Sequence, residues 1–157
     1  AAVTVVLLCT FVFRMVRVDG WSMFPTLTDG DFLVSTHMFY EPQKGDIVVI
    51  TKPNEISSPL IKRVIATGGE SVYIDAAGNV SVNGTLLDEP YLAEKDAGIS
   101  DLDYPYVVPV GTYFVLGDHR ESSVDSRSSL VGCVEQSEVV GKIIFRVWPL
   151  SSFGKIK

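Results

Sequence analysis

Beyond Gly20 the sequence is broken by glycine, proline, asparagine and aspartate into short apolar runs, and hardly any of them holds a helical period. Such punctuation points to a sheet, because a helix needs an unbroken stretch with a repeat near 3.6 while a strand needs only a few residues. DFLVSTHMF follows the Asp29-Gly30 turn signal, and KGDIVVITK carries a continuous apolar core from Ile47 to Ile50. PLIKRVIAT is rich in β-branched residues, and SVYID alternates from Ser71 to Asp75. NVSVNGTLL contains Asn83-Gly84, the strongest short hairpin signal. TYFVLGD and GKIIFRVWPL supply further strands. The fold class expected is mainly β, a compact antiparallel sheet or barrel-like domain. Asp88 to Pro109 is acidic, rich in proline and tyrosine and without period, which reads as a long loop or small insertion.

The N-terminus breaks with this pattern. Ala1 to Phe13 is uncharged, with Thr4 and Thr10 its polar residues, and Arg14 and Arg17 then interrupt it. Thirteen residues are short for a membrane span, which needs about 20. The chain opens at Ala1 rather than at a methionine, so the run is read as the outer end of a partial N-terminal transmembrane helix. No small-residue cleavage site follows, which argues against a removable signal. The expected organisation is an anchor ending at residue 17 and a β-rich domain over residues 18–157.

With 157 residues the chain has room for one domain with a proper core. Its formal net charge of −6 disfavours nucleic acid, whose phosphates an acidic surface repels. Cys9 and Cys133 lack a second cysteine or histidine at ligand spacing, so neither a disulfide framework nor a metal site is expected.

Chemistry has few places to reside. In DGWSMFPTL, Ser22 sits between Trp21 and Met23, with Phe24, Pro25 and Thr26 closing the stretch. A serine held among apolar residues is either a turn serine or a nucleophile shielded from water. Gly20-Trp21-Ser22 resembles the start of a nucleophile elbow, but the second glycine and the strand-turn-helix context are missing. Lys62 lies in a strand whose pleat sends Leu60, Lys62 and Val64 to one face and Ile61, Arg63 and Ile65 to the other. On a core face the ammonium is desolvated, its pKa falls, and the neutral amine can take a serine proton. On a half-buried face the same side chain reaches out to water. His37 and His119 are the two histidines available to a Ser-His-Asp arrangement, and GDHRESSVDSR, Gly117 to Arg127, is the remaining polar cluster.

Four of these segments occur in a telling order. Ser22-Met23-Phe24-Pro25-Thr26, Lys44-Gly45-Asp46, Lys62-Arg63-Val64 with Gly68-Gly69-Glu70, and Gly117 to Arg127 resemble the successive boxes of the type I signal peptidases, from Val18 to about Trp148. The first box alone is moderately specific; the four in order, ending in G-D-x-R-x-x-S-x-D-S-R, are very specific.

The resemblance implies a membrane-anchored serine protease with Ser22 as nucleophile and Lys62 as general base. Ser123 would hydrogen-bond the Lys62 amine and orient it. Asp125 and Arg127 would brace the Ser123 loop as an ion pair, Asp118 and Arg120 would shape the same loop, and Met23 and Pro25 would set the turn exposing the Ser22 hydroxyl. The substrates implied are secretory preproteins, cut after small residues at the −1 and −3 positions on the outer face of the cytoplasmic membrane, without metal or organic cofactor. The strand count resembles the short Gram-positive form with one anchor. Gly20 departs from the relatives that carry an oxyanion-binding serine there, so the oxyanion falls mainly to the Ser22 N–H. His119 replaces a common asparagine, which leaves an opening for it as base. Trp21, Met23 and Phe24 follow the anchor closely and line either the headgroup level of a lipid surface or the core and cleft.

Other readings are a self-cleaving Ser-Lys repressor protease, which would need a DNA-binding domain, and a non-catalytic homologue in pilus or secretion assembly, which would usually lack Ser22 or Lys62. A membrane-anchored binding module would need neither residue.

Overall fold

A computed structural model describes residues 12–36, 40–52 and 56–156. The strands in chain order are β1 (Phe13–Arg17), β2 (Phe32–Thr36), β3 (Ile47–Ile50), β4 (Leu60–Thr67), β5 (Ser71–Ile74), β6 (Val80–Val82), β7 (Thr85–Leu86), β8 (Tyr106–Val107), β9 (Thr112–Leu116), β10 (Val134–Glu135), β11 (Val139–Trp148) and β12 (Gly154–Lys155). All pairings are antiparallel. The larger sheet runs β1-β2-β11-β3-β4-β9-β10, with β12 on the flank of β11, and the smaller runs β7-β6-β5-β8.

The expected strands form where the sequence placed them. β3 has the bounds Ile47–Ile50, all four residues buried, as befits a continuous apolar run in the middle of a sheet. The Asn83-Gly84 hairpin forms with both residues at positive φ, 52° and 78°, which suits a tight turn between twisted strands. The β4 faces divide as the pleat requires: Leu60 and Val64 pack with Val48, Ile50 and Val115, whereas Ile61 packs with Ile47, Val49, Leu33 and Met23. A further cluster, with Val72, Val80, Val82, Phe114 and Leu116, joins the smaller sheet to the larger.

At the N-terminus the boundary moves. The anchor was expected to reach residue 17, but Phe13–Arg17 is an edge strand paired residue for residue with β2. Arg14 and Arg17 are both exposed, and their charges let this segment lie along a wet sheet edge. Residues 1–11, Cys9 among them, and His37 lie outside the described residues. Among the described residues no helix is long and apolar enough to cross a membrane.

The segment from Asp88 to Pro109 is neither a free loop nor a separate unit. It contributes β8 to the smaller sheet and buries Glu89 and Val108. Asp101 accepts bonds from the Ser129 N–H and hydroxyl, and the Ser100 hydroxyl donates to the Arg127 carbonyl. The stretch is a strap tied down onto the polar loop that follows β9.

Candidate active site

Ser22 lies in a turn that follows β1, closed by bonds from the Phe24 N–H to the Trp21 carbonyl at 3.0 Å and from the Leu27 N–H to the Met23 carbonyl at 2.9 Å. Met23 and Leu27 anchor the turn in the core, being 2% and 0% exposed. Pro25 follows a cis peptide bond. Gly20 enters the turn at φ +94°, a conformation that a side chain strains, and its N–H donates to Asp29 Oδ1. The backbone therefore favours glycine at this position.

Lys62 comes from the middle of β4. Its Nζ lies 2.8 Å from Ser22 Oγ and 3.1 Å from the Ile61 carbonyl, and the residue is 1% exposed. Burial lowers the amine's pKa to about 8, with Arg127 adding to the effect and Asp125 and Asp118 opposing it. The amine faces a hydroxyl and a carbonyl here, and among the described residues it has no carboxylate within ion-pairing distance. A lysine half neutral near pH 8 beside a serine hydroxyl can act as a base.

The remaining predicted residues surround this pair. Asp118 accepts two bonds from Arg63, from Nε at 2.9 Å and Nη2 at 2.7 Å, and a third from the Thr26 hydroxyl. One carboxylate thus joins the nucleophile turn to the residue beside the base. Asp125 and Arg127 form the expected ion pair, with Arg127 Nε 2.8 Å from Asp125 Oδ1. Arg127 also donates to the carbonyls of Ala97, Arg120 and Ser123. Arg120 donates to the Gly117 carbonyl and pairs with Glu89 of the strap. All of these charged side chains are buried, where an unpaired charge would be costly, and each is matched.

Ser123 is the exception. Its Oγ is buried and has no hydrogen-bond partner among the described residues, so the expected bond to Lys62 is not formed. Steric closeness accounts for its position: the hydroxyl packs over Gly117, and a Cβ built on that glycine would stand 2.1 Å from Ser123 Oγ and 2.5 Å from the Ser22 carbonyl oxygen. His119 is not placed as the base either. Its N–H donates to the Ser22 carbonyl, and its Nδ1 faces the Trp21 carbonyl and the Ser122 hydroxyl rather than Ser22 Oγ.

Sequence reasoning did not assign roles to Glu89, Tyr91, Thr26 or Arg63. Tyr91 covers the Arg63 guanidinium at 3.8 Å. Arg63 could have been suspected, since a buried strand seldom tolerates adjacent cations without partners. Glu89 and Tyr91 carry no local signal.

An apolar groove of about 290 Å³ opens on Ser22, lined among others by Val16, Val18, Met23, Leu60 and Ile61. Among the described residues no His, Cys, Asp and Glu cluster could hold a metal. Cys133 is a half-buried thiol whose pKa burial raises.

The family model for signal peptidase, peptidase S26, matches residues 1–148. Signal peptidase I of Bacillus licheniformis is 36% identical, covering 99% of this chain and 87% of its own. Signal peptidase I T of Bacillus subtilis is 34% identical over 100% of this chain and 85% of its own. The crystal structure of a signal peptidase I from Enterococcus faecalis superposes with a TM-score of 0.52 at 33% identity, covering 66% of this chain and 97% of that one. A buried lysine against a serine in a mainly β fold, and relatives alike over nearly the whole length, place this chain in the signal peptidase I family, the serine proteases that remove signal peptides from preproteins.

Proposed function

We propose that Ser22 is the acylating nucleophile and Lys62 the general base in cleavage of secretory preproteins, at the outer face of the cytoplasmic membrane. The observation that carries this reading is the 2.8 Å contact between Lys62 Nζ and Ser22 Oγ, with the lysine 1% exposed. Neutral Lys62 takes the hydroxyl proton as Ser22 attacks the carbonyl of the last residue of the signal peptide. The Ser22 N–H stabilises the developing oxyanion, the protonated amine gives its proton to the leaving α-amine, and the mature chain departs. Water activated by the same amine then releases the signal peptide from Ser22. Asp118, Arg120, Asp125 and Arg127 hold the pieces in place, and Ser123 supports the dyad by packing beside the Ser22 turn.

The groove lies between the chain leaving β1 and the start of β4. A substrate segment bound there in extended form would send every second side chain to the same wall, so positions −1 and −3 would both face it. Apolar walls of this small volume favour small residues at those two positions. The protein is held at the membrane by an N-terminal anchor, and Trp21, 54% exposed, and Phe24, 39% exposed, form a lipid-facing rim beside the site, while Met23 belongs to the core.

The test is cleavage of a purified preprotein by the full chain in detergent. Wild type cuts after the signal peptide; Ser22→Ala and Lys62→Ala do not. If Lys62→Ala cuts at a rate near wild type while His119→Ala is inert, the base is misassigned. The lipid rim is tested in a Trp148→Phe background: Trp21 emission shifts to the blue on adding anionic vesicles, and emission indifferent to lipid refutes it.

A further inference from the structure

His119 makes contacts that the Ser-Lys mechanism does not use. Its backbone N–H donates to the Ser22 carbonyl at 3.0 Å, and its ring Nδ1 lies 3.3 Å from the Trp21 carbonyl oxygen. The Ser122 hydroxyl is 2.8 Å from the same nitrogen. The ring also packs edge-on against Phe24, with centroids 6.2 Å apart. One residue therefore grips both peptide units that flank the nucleophile.

A carbonyl oxygen accepts but never donates, so a bond from Nδ1 to Trp21 requires the ring proton on Nδ1, with Ser122 Oγ beside it as a second acceptor. The Trp21 oxygen has lone pairs for two donors, and the Phe24 N–H at 3.0 Å is the other. The Trp21–Ser22 peptide is a rigid trans plane, in which the carbonyl and the Ser22 N–H point in opposite directions. Fixing the oxygen end fixes the direction of the N–H at the other end. Donation to the carbonyl also polarises the amide and strengthens that N–H as a donor. Among the described residues no backbone or side-chain acceptor takes the Ser22 N–H, so it is free for a substrate oxyanion. Gly20 brings no side-chain donor to share the task.

We propose that His119 is a positioning residue for the oxyanion hole: its Nδ1–H, bonded to the Trp21 carbonyl, aims and strengthens the Ser22 N–H. The inference rests on the Ser22-Lys62 reading above. It accounts for a histidine at this place, because an asparagine side chain can set its Nδ2–H near the same point, whereas alanine cannot.

The experiment compares wild type, His119→Ala, His119→Asn and Ser22→Ala, each as the full chain in detergent with a preprotein substrate. A second measurement compares affinity for a peptide aldehyde, which forms a tetrahedral adduct on Ser22, with affinity for the matching uncleavable peptide. Removing a whole oxyanion donor costs about 10²–10³ in kcat, so misaiming one should cost less, roughly 10–100-fold. The expected result is that His119→Ala loses about that factor in kcat and in aldehyde affinity. KM and the affinity for the uncleavable peptide stay within about twofold of wild type, and His119→Asn regains most of the loss. The proposal is overturned by wild-type kcat in His119→Ala, by equal losses for aldehyde and peptide, or by an asparagine variant as impaired as the alanine one. Those outcomes leave the Ser22 assignment standing as long as Ser22→Ala is inert. Cleavage by Ser22→Ala would remove that assignment instead.

Discussion

Replacing Lys62 by methionine separates the charge of this residue from its shape. Methionine fills nearly the same volume, so the core is preserved while the amine is lost. A free lysine ionises near 10.5, but burial brings Lys62 down to about 8. At 1.36 kcal/mol per pH unit the difference corresponds to about 3 kcal/mol, which folding loses wherever the amine must be buried charged. The loss is complete below pH 8. Between pH 8 and 10.5 the unfolded chain binds more protons than the folded one, so the wild type regains stability as pH rises, and above 10.5 the loss has gone. Methionine also forfeits the bonds to Ser22 Oγ and the Ile61 carbonyl, about 1–2 kcal/mol together and independent of pH over this range. Lys62→Met is therefore expected to be inactive, more stable than wild type by about 1–2 kcal/mol at pH 7, and less stable by a similar amount at pH 10.5. Urea unfolding of both proteins at the two pH values measures the swing, and other titrating groups cancel in the difference. A stability difference that stays flat from pH 7 to 10.5 would refute the argument that Lys62 is kept dry and destabilised in the folded protein.

Further outcomes follow from the same geometry. The kcat/KM of the wild type is expected to rise with pH through about 8 and to level off about one pH unit higher, where the free enzyme's Lys62 is mostly neutral; a rate falling steadily from pH 6 to 9 would contradict the base assignment. Asp118→Ala leaves Arg63 buried without its carboxylate and releases Thr26, so it should lose about 3–5 kcal/mol of stability by thermal or urea unfolding. Gly117→Ala puts a methyl group against Ser123 and the Ser22 carbonyl, and should lower kcat far more than it lowers the melting temperature of the sheet. Glu89→Gln weakens the tie between the strap and Arg120, which limited proteolysis should report as faster cutting within residues 88–101.

Local chemistry was legible wherever one residue type had one use. Asn83-Gly84 could only be a tight turn, and Ile47 to Ile50 could only be buried on both sides. The Ser22 and Lys62 boxes were legible as a set, since the dyad needs both and each alone has an ordinary explanation. What escaped were the features that exist only between distant segments. β1 was hidden because an uncharged run beside arginines reads as an anchor, and its pairing with β2 has no local signature. Glu89 looked like one more acid in an acidic stretch, and its partner Arg120 is 31 positions away. The direction of Ser123 was misjudged for the same reason, since the position of its hydroxyl is decided by how tightly the loop folds over Gly117.

Lys62 and Arg63 are neighbours in β4, yet one must be able to shed its proton and the other never does. The alternating strand keeps those incompatible duties apart by pointing them to opposite sides. Sliding β4 by a single residue against β3, where Val48 lies opposite Lys62 and Ile47 opposite Arg63, would hand a permanent cation to the serine in one direction, or move the amine away from the serine towards Asp118 in the other. The irregularity in the β4–β9 pairing comes later, between Val64 and Ala66, so the slack in this strand is taken up downstream of the pair. Insertions or deletions around this strand should therefore be tolerated past Val64 but not before Leu60.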